Sequence, residues 1–303
     1  REAESDAEFR TRIRDTIASL PAATKIALIT NLLTTTDPVT NAIVTRASVV
    51  EDFEKDVVYA YVDDSSSAGI ANSEFRLAED TLAVAAGAGA TSVVLNSIDG
   101  FDSATLSNSS FVIFDPLGSP FVTQYGSLLP ALNTLDALPA SPALPAFPAN
   151  ATVSLCEAVT TSSLDKRKYY QLDSAPLGDD LLRLYLVNGT KLGSATLLTP
   201  LQNGACSTGT EDYVVNEALG QIEFLTGKIP VAESAIYAIY ESYTNLLKES
   251  QKVIDGDLLD PIAYPGVRSA GVKVLVRPAQ RTPVDVVLDI TIDNEQTDID
   301  TAG

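Results

Sequence analysis

From Ile43 onward, apolar residues arrive in short β-branched and aromatic runs, each closed by Gly, Pro, Asn or Asp. Runs so short bury one or both faces of a strand but cannot complete the turns a packed helix needs, which commits most of the chain to sheets. They occupy 43–50, 57–62, 82–86, 92–95, 111–114, 121–125, 152–159, 182–187 and 195–198. Residues 213–216 and 221–225 flank a turn at Gly220 and read as a hairpin. Further strands are expected over 235–243, 271–276 and 284–292.

Helical spacing appears in three places. Over 5–20, Ser5 and Glu8 form a capping box, and Phe9, Ile13, Ile17 and Leu20 share one face with Arg10, Arg12 and Arg14 largely off it. Pro21 breaks that run. A second helix is expected over 24–33 with Ile26, Ile29 and Leu33 on one side. A third is expected over 245–254, with Thr244 or Asn245 as N-cap, Gly256 as stop signal, and Leu246, Leu247, Ser250, Val253 and Ile254 inward. The fold class is therefore α+β and mostly β, short helices packed on a β core with an inserted β-rich subdomain or subdomains. Residues 63–69 read as the loop into that separate module. The Pro/Ala-rich stretch 135–148 reads as an extended, semi-rigid spacer.

At 303 residues the chain has room for about two domains, each with its own core. Asp and Glu number 40 against 20 Lys and Arg, a formal net charge of -20. Such a surface repels phosphate backbones and anionic lipid, so neither nucleic acid nor membrane insertion is expected. No apolar run reaches the roughly 18–20 residues that cross a bilayer. The acidity serves solubility, and an excess of Asp over Glu also fits adaptation to high salt. The chain begins at Arg1 and has no Met, as expected of part of a longer polypeptide.

The chain has no His, which removes Ser-His catalysis and the usual zinc, copper and haem sites. Cys156 and Cys206 either pair, closing a loop of roughly 50 residues, or remain two thiols; two cysteines do not make a disulfide framework. Asp63/Asp64, Asp179/Asp180 and the stretch 293–300 lack the converging oxygens of a calcium loop and read as solvated acids. Gly87 and Gly89 lack the third glycine and the opening helix of a dinucleotide fingerprint. Asn108, Asn150 and Asn188 head N-x-S/T sequons, which a Ser/Thr-rich chain supplies by chance. No catalytic, cofactor-binding or metal-ligating residue is assigned.

The segments ESDAEFRTRI (4–13) and ATKIAL (23–28) resemble the helical region of the baseplate J family, wedge components of contractile phage tails and related injection machines. DPVTNAIVTRASVVED (37–52) and VVYAYVDD (57–64) are similar to the strands that follow it. NLLKESQKVIDG (245–256) leads into YPGVRSAGVKVLVRP (264–278), again in family order. The series covers roughly the outer thirds of the chain, whereas 65–210 matches nothing familiar. The expected domains are thus a discontinuous core of 1–64 and 211–303 and an inserted β-rich region, 65–210, with its spacer near 135–148.

The resemblance implies a non-enzymatic virion protein, a baseplate wedge subunit linking hub, sheath and peripheral fibres and rearranging on host contact. It implies no cofactor, a place in the tail baseplate after assembly in the host cytoplasm, and a homo-oligomeric ring. The implied partners are other wedge and hub proteins, the sheath-contacting wedge protein, and tail-fibre or peripheral subunits. In so acidic a chain, contacts between subunits draw on basic surface. The candidates are Arg10, Arg14, Lys166, Arg167, Lys168, Arg268, Arg277 and Arg281. A second reading is a β-rich host- or carbohydrate-binding module in the middle of the chain, with Tyr169–Tyr170 as its one adjacent aromatic pair. A third, a carboxylate glycosidase, needs two acids facing each other across a cleft.

Overall fold

The computed structural model describes residues 24–66, 74–101, 110–114, 118–161, 168–178, 182–201, 207–257, 259–268 and 272–279; the expected helix 5–20 and strand 284–292 lie outside them. Helix α1 (Lys25–Leu32) leads into strands β1 (Arg46–Asp52), β2 (Val57–Asp63), β3 (Glu74–Arg76), β4 (Glu79–Thr81) and β5 (Val93–Val94). Next come β6 (Ser110–Phe114), β7 (Phe121–Gln124), β8 (Ser127–Leu129), β9 (Thr134–Asp136), β10 (Thr152–Leu155) and β11 (Glu157–Ala158). They are followed by β12 (Thr160–Thr161), β13 (Tyr169–Gln171), β14 (Arg183–Val187), β15 (Gly193–Ser194) and β16 (Thr196–Leu197). The hairpin β17 (Tyr213–Asn216) and β18 (Gln221–Phe224) precedes β19 (Ala235–Ile239) and β20 (Glu241–Tyr243). Helix α2 (Asn245–Asp255) and β21 (Val274–Pro278) complete an α+β, mostly β chain.

The outer segments form one layer of sheet and one of helix. Strand β2 is central, antiparallel to β1 and parallel to β21, so that Ala60 faces Val49 on one side and Val276 on the other. Helices α1 and α2 pack their apolar sides into one core with this sheet, through Leu28, Leu32, Leu246, Leu247 and Ile254 against Val49, Val62 and Val274. Thr24 caps α1 by accepting the Ala27 amide at 3.2 Å. The side that carries Ile26 and Leu33 is not the buried one. Leu28 and Leu32 face the sheet, while Ile26 is 76% and Leu33 41% exposed. The helix is apolar on two sides, and contact with β1 and β2 decides which is covered. On α2, Gln251 is buried, and its amide stands in for a strand: Nε2 donates to the Val274 carbonyl at 2.9 Å and Oε1 accepts the Val276 amide at 2.8 Å. Val253 is only half-buried.

The middle of the chain is a larger β module. A five-stranded sheet, β15-β7-β6-β10-β4, lies against a four-stranded one, β11-β19-β14-β16. Val112 and Val122 of the first meet Tyr185, Val187, Tyr237 and Ile239 of the second. The opposite side chains of these strands, including Phe111, Ile113, Leu184, Ile236 and Ala238, join the module's main core. Burial on both faces explains why these strands read as continuous apolar runs. Two more sheets, β12-β13-β18-β17 and β5-β9-β8, enclose that core.

Three expectations are corrected here. The hairpin 213–225 and strand β19 belong to this module: β18 pairs with β13, β19 pairs with β11 and β14, and Tyr213, Phe224 and Tyr240 enter its core. The chain therefore leaves the module after Tyr240, not at 210, because these strands need partners that only the middle segment supplies. The stretch 135–148 is not a spacer. Leu138, Leu144 and Phe147 are buried, and the backbone is pinned through Leu138 N–H to Thr91 O, Gly89 N–H to Leu144 O and the Ala86–Phe147 bridge. Residues 82–86 form two isolated bridges at Leu82 and Ala86 instead of a strand.

The two bodies meet along a seam. The expected strand 235–243 breaks at Tyr240, and β20 pairs with β3, so the outgoing and incoming connections run side by side. On the other side of β20, Gly178 N–H donates to Glu241 O and Tyr243 N–H to Pro176 O, both at 2.8 Å. A Cβ on Gly178 would lie 2.8 Å from the Glu241 side chain, so only glycine permits this approach. Into the seam reaches Arg277 of β21, 2% exposed.

Candidate assembly surface

Two turns of the outer module hold large apolar side chains out in solvent. Between β1 and β2, Asp52 accepts the amides of Glu54 and Lys55, each at 3.1 Å, and the turn closes through Asp56 at φ 52. Phe53 at its tip is 86% exposed. After α2, Gly256 (φ 87) stops the helix, and Asp257 N–H donates to Tyr264 O at 3.0 Å to close a loop. Asp257 and Asp260 side chains cap the Leu259 and Ala263 amides at 2.8 and 3.1 Å. Leu259 and Ile262 on this loop are 95% and 94% exposed.

Ion pairs and hydrogen bonds brace the loop against α2. Arg268 reaches Asp255 at 2.5 Å, Tyr264 Oη donates to Glu249 at 2.8 Å, and Lys252 pairs with Glu249 at 3.0 Å. Burial raises the Asp255 carboxyl, and the Gln251 amide and Arg268 work against that rise. Between the Phe53 turn and Arg268 runs a groove of about 320 Å³, walled by Lys25, Phe53, Val272 and Lys273. Its lining sets apolar side chains, Leu28, Val57 and Val274 among them, between acids and bases.

The basic candidates fare differently. Arg268 lines the groove but is already engaged by Asp255. Lys168 pairs with Glu223 at 2.6 Å and lies 5.2 Å from the Tyr169 ring centroid; the hydrogen bond to Glu223 chiefly raises its pKa. Arg277 is corrected: it faces inward, donating to Leu177 O at 3.2 Å and lying 5.3 and 6.0 Å from the Tyr243 and Tyr59 ring centroids. A guanidinium used up inside the chain presents nothing to a neighbour. Arg10, Arg14, Lys166, Arg167 and Arg281 lie outside the described residues.

The other described sequence candidates lie away from this surface. Tyr170 is in the core, edge-on to Phe224, and Tyr169 is half-buried, so the pair does not make an open stacking platform. Cys156 is a buried free thiol whose pKa burial raises, while Cys206 lies outside the described residues. Asp63 is buried and Asp64 half-buried, each accepting the amide two residues on. Among the described residues no group of His, Cys, Asp or Glu is arranged to hold a metal ion, and no helix is long and apolar enough to cross a membrane. Sequence reasoning missed Phe53, Leu259 and Ile262. Their signal was an apolar residue flanked by Asp-based turn chemistry, in EDFEKD and DLLDPIAY, where solvent exposure is required. Comparison with family models, curated proteins and solved structures finds no match.

Proposed function

We propose that the chain is a structural subunit of a contractile-tail baseplate, a wedge component that joins hub, sheath and peripheral fibres within a ring. One observation carries the reading. Phe53, Leu259 and Ile262 are held out on hydrogen-bonded turns that join consecutive segments resembling the baseplate J series. Apolar residues scattered on a surface are ordinary, but apolar residues fixed on braced turns lose little freedom on binding and so favour lasting protein contacts. The seam adds support, because a subunit that passes on a rearrangement must move as a rigid body. Immunogold electron microscopy of native particles, with an antibody against residues 75–240, is expected to label the plate at the end of a contractile tail. Label confined to a cell envelope, or a chain recovered solely as free soluble protein, would overturn the assignment.

A further inference from the structure

The three-stranded sheet of the outer module treats its two edges differently. At β21 the edge is closed by α2, because the Val274 carbonyl and the Val276 amide are bonded by the Gln251 side chain at 2.9 and 2.8 Å. At β1 no strand pairs with the outer edge among the described residues. β1 runs for seven residues, RASVVED, with no Pro or Gly to interrupt it. A regular edge of that length is a ready template for another strand.

Backbone parity identifies the groups this edge offers. Val58 N–H donates to Lys273 O at 2.9 Å, so even-numbered residues of β2 turn their backbone groups to β21 and odd-numbered ones to β1. Through the register Val50↔Tyr59 and Ser48↔Tyr61, Ser48 and Val50 bond to β2, while the backbone groups of Ala47, Val49 and Glu51 point outward. The side chains alternate across the sheet: Val49 enters the core, and Arg46, Ser48 and Val50 are exposed on the other face with Asp52 half-buried beside them.

We propose that β1 pairs antiparallel with β1 of a second copy of the chain, about a two-fold axis at Val49. Val49 then faces the partner's Val49 and Ala47 faces the partner's Glu51, so each outward N–H and C=O of these residues meets its complement. The same register sets Arg46 opposite the partner's Asp52, and Asp52 opposite the partner's Arg46, on the solvent face. Those are non-hydrogen-bonded positions, where side chains approach most closely. Asp52 holds Lys55 no nearer than 3.9 Å, and Arg46 has no ion pair among the described residues. An axis at Ser48 would set Arg46 against the partner's Val50, and one at Val50 would carry it past the end of the strand. Backbone parity and charge thus select one register. In a chain of net charge -20 two copies repel at long range, so a contact between them needs a patch where base meets acid from both sides. A two-fold contact closes on itself, so this pairing is separate from any ring contact and does not rest on the baseplate reading.

Sedimentation of the full chain over a concentration series, in salt of about 0.15 M that screens charges beyond ~8 Å, is expected to show a monomer–dimer equilibrium. Arg46→Glu puts like charges opposite each other at both ends of the pairing and should weaken the dimer at least ~10-fold. Ala47→Pro removes an outward N–H and no bond to β2, and should weaken it as well. The register is read by cross-linking. Under oxidant, Ser48→Cys mixed with Val50→Cys should form a disulfide-linked dimer, above the wild-type background, far more than either variant alone, because position 48 lies opposite position 50. A monomer at every concentration, a dimer indifferent to Arg46→Glu, or cross-linking by one variant alone as strong as by the mixture would overturn the proposal.

Discussion

Removing Arg277 tests whether the seam is a fastening or a mere contact. Its guanidinium, 2% exposed, donates to Leu177 O at 3.2 Å and lies 5.3 and 6.0 Å from two tyrosine rings. A hydrogen bond from a charged donor is worth about 1.5–3 kcal/mol and each cation–π contact about 0.5–1. The Glu217 pair at 3.7 Å adds little, because Glu217 is partly exposed and keeps Lys273 at 3.3 Å. Arg277→Ala should therefore destabilise by about 3–5 kcal/mol, lost stem packing included. Arg277→Met keeps most of the stem volume and should cost at least about 1 kcal/mol less. Urea unfolding followed by tyrosine fluorescence measures both. An Ala variant within about 1 kcal/mol of wild type would refute the reasoning, since a desolvated cation with real partners cannot be removed so cheaply.

Two smaller perturbations probe buried polar groups. Tyr213 is fully buried and its hydroxyl has no hydrogen-bond partner among the described residues, so Tyr213→Phe should match or exceed wild-type stability, by up to about 1 kcal/mol in thermal unfolding; a clear loss would reveal a partner for that hydroxyl. Burial alone would raise the Asp37 carboxyl, but the Thr40 hydroxyl and the amides of Val39 and Thr40 outweigh it and hold it below 3.8. A pKa lowered on folding adds stability that is present above the unfolded value and is lost as pH falls through the folded one. Asp37→Asn should thus cost about 1–2 kcal/mol at pH 7, with the gap to wild type narrowing as pH falls below the ordinary carboxylate range, read from urea midpoints; a gap that widens in acid would contradict this.

Local signals in the sequence were read well where neighbours along the chain decide the outcome. The Gly256 stop and the Gly220 hairpin are both settled within a few residues. The failures share a physical cause: the deciding partner is far away in the chain. Ile26 and Leu28 are equally apolar, and only the sheet distinguishes them. The Pro/Ala stretch looked like a linker because its buried residues, Leu138, Leu144 and Phe147, are spaced irregularly and dock one at a time on a core built elsewhere. For the candidate surface the signal was present but inverted. Phe53, Leu259 and Ile262 sit where turn chemistry places side chains in water, whereas the charge argument led to arginines, one of which the fold buries.

That buried arginine follows from the order of the chain. The polypeptide leaves the outer sheet after Asp63, builds the β module, and returns through β20 beside β3. Two adjacent strands alone form a narrow stalk, which by itself would let the module swing. Arg277 comes from a third segment, parallel to β2, and bonds to Leu177 deep within the inserted region. Lys273, four residues earlier, reaches Glu217 on the hairpin turn of the same region. Any rotation of one body against the other must therefore break contacts made by β21 as well as flex the stalk. A force on the exposed turns of the outer module is then carried into the β module through β21, and the strength of that coupling is what the Arg277 variants measure.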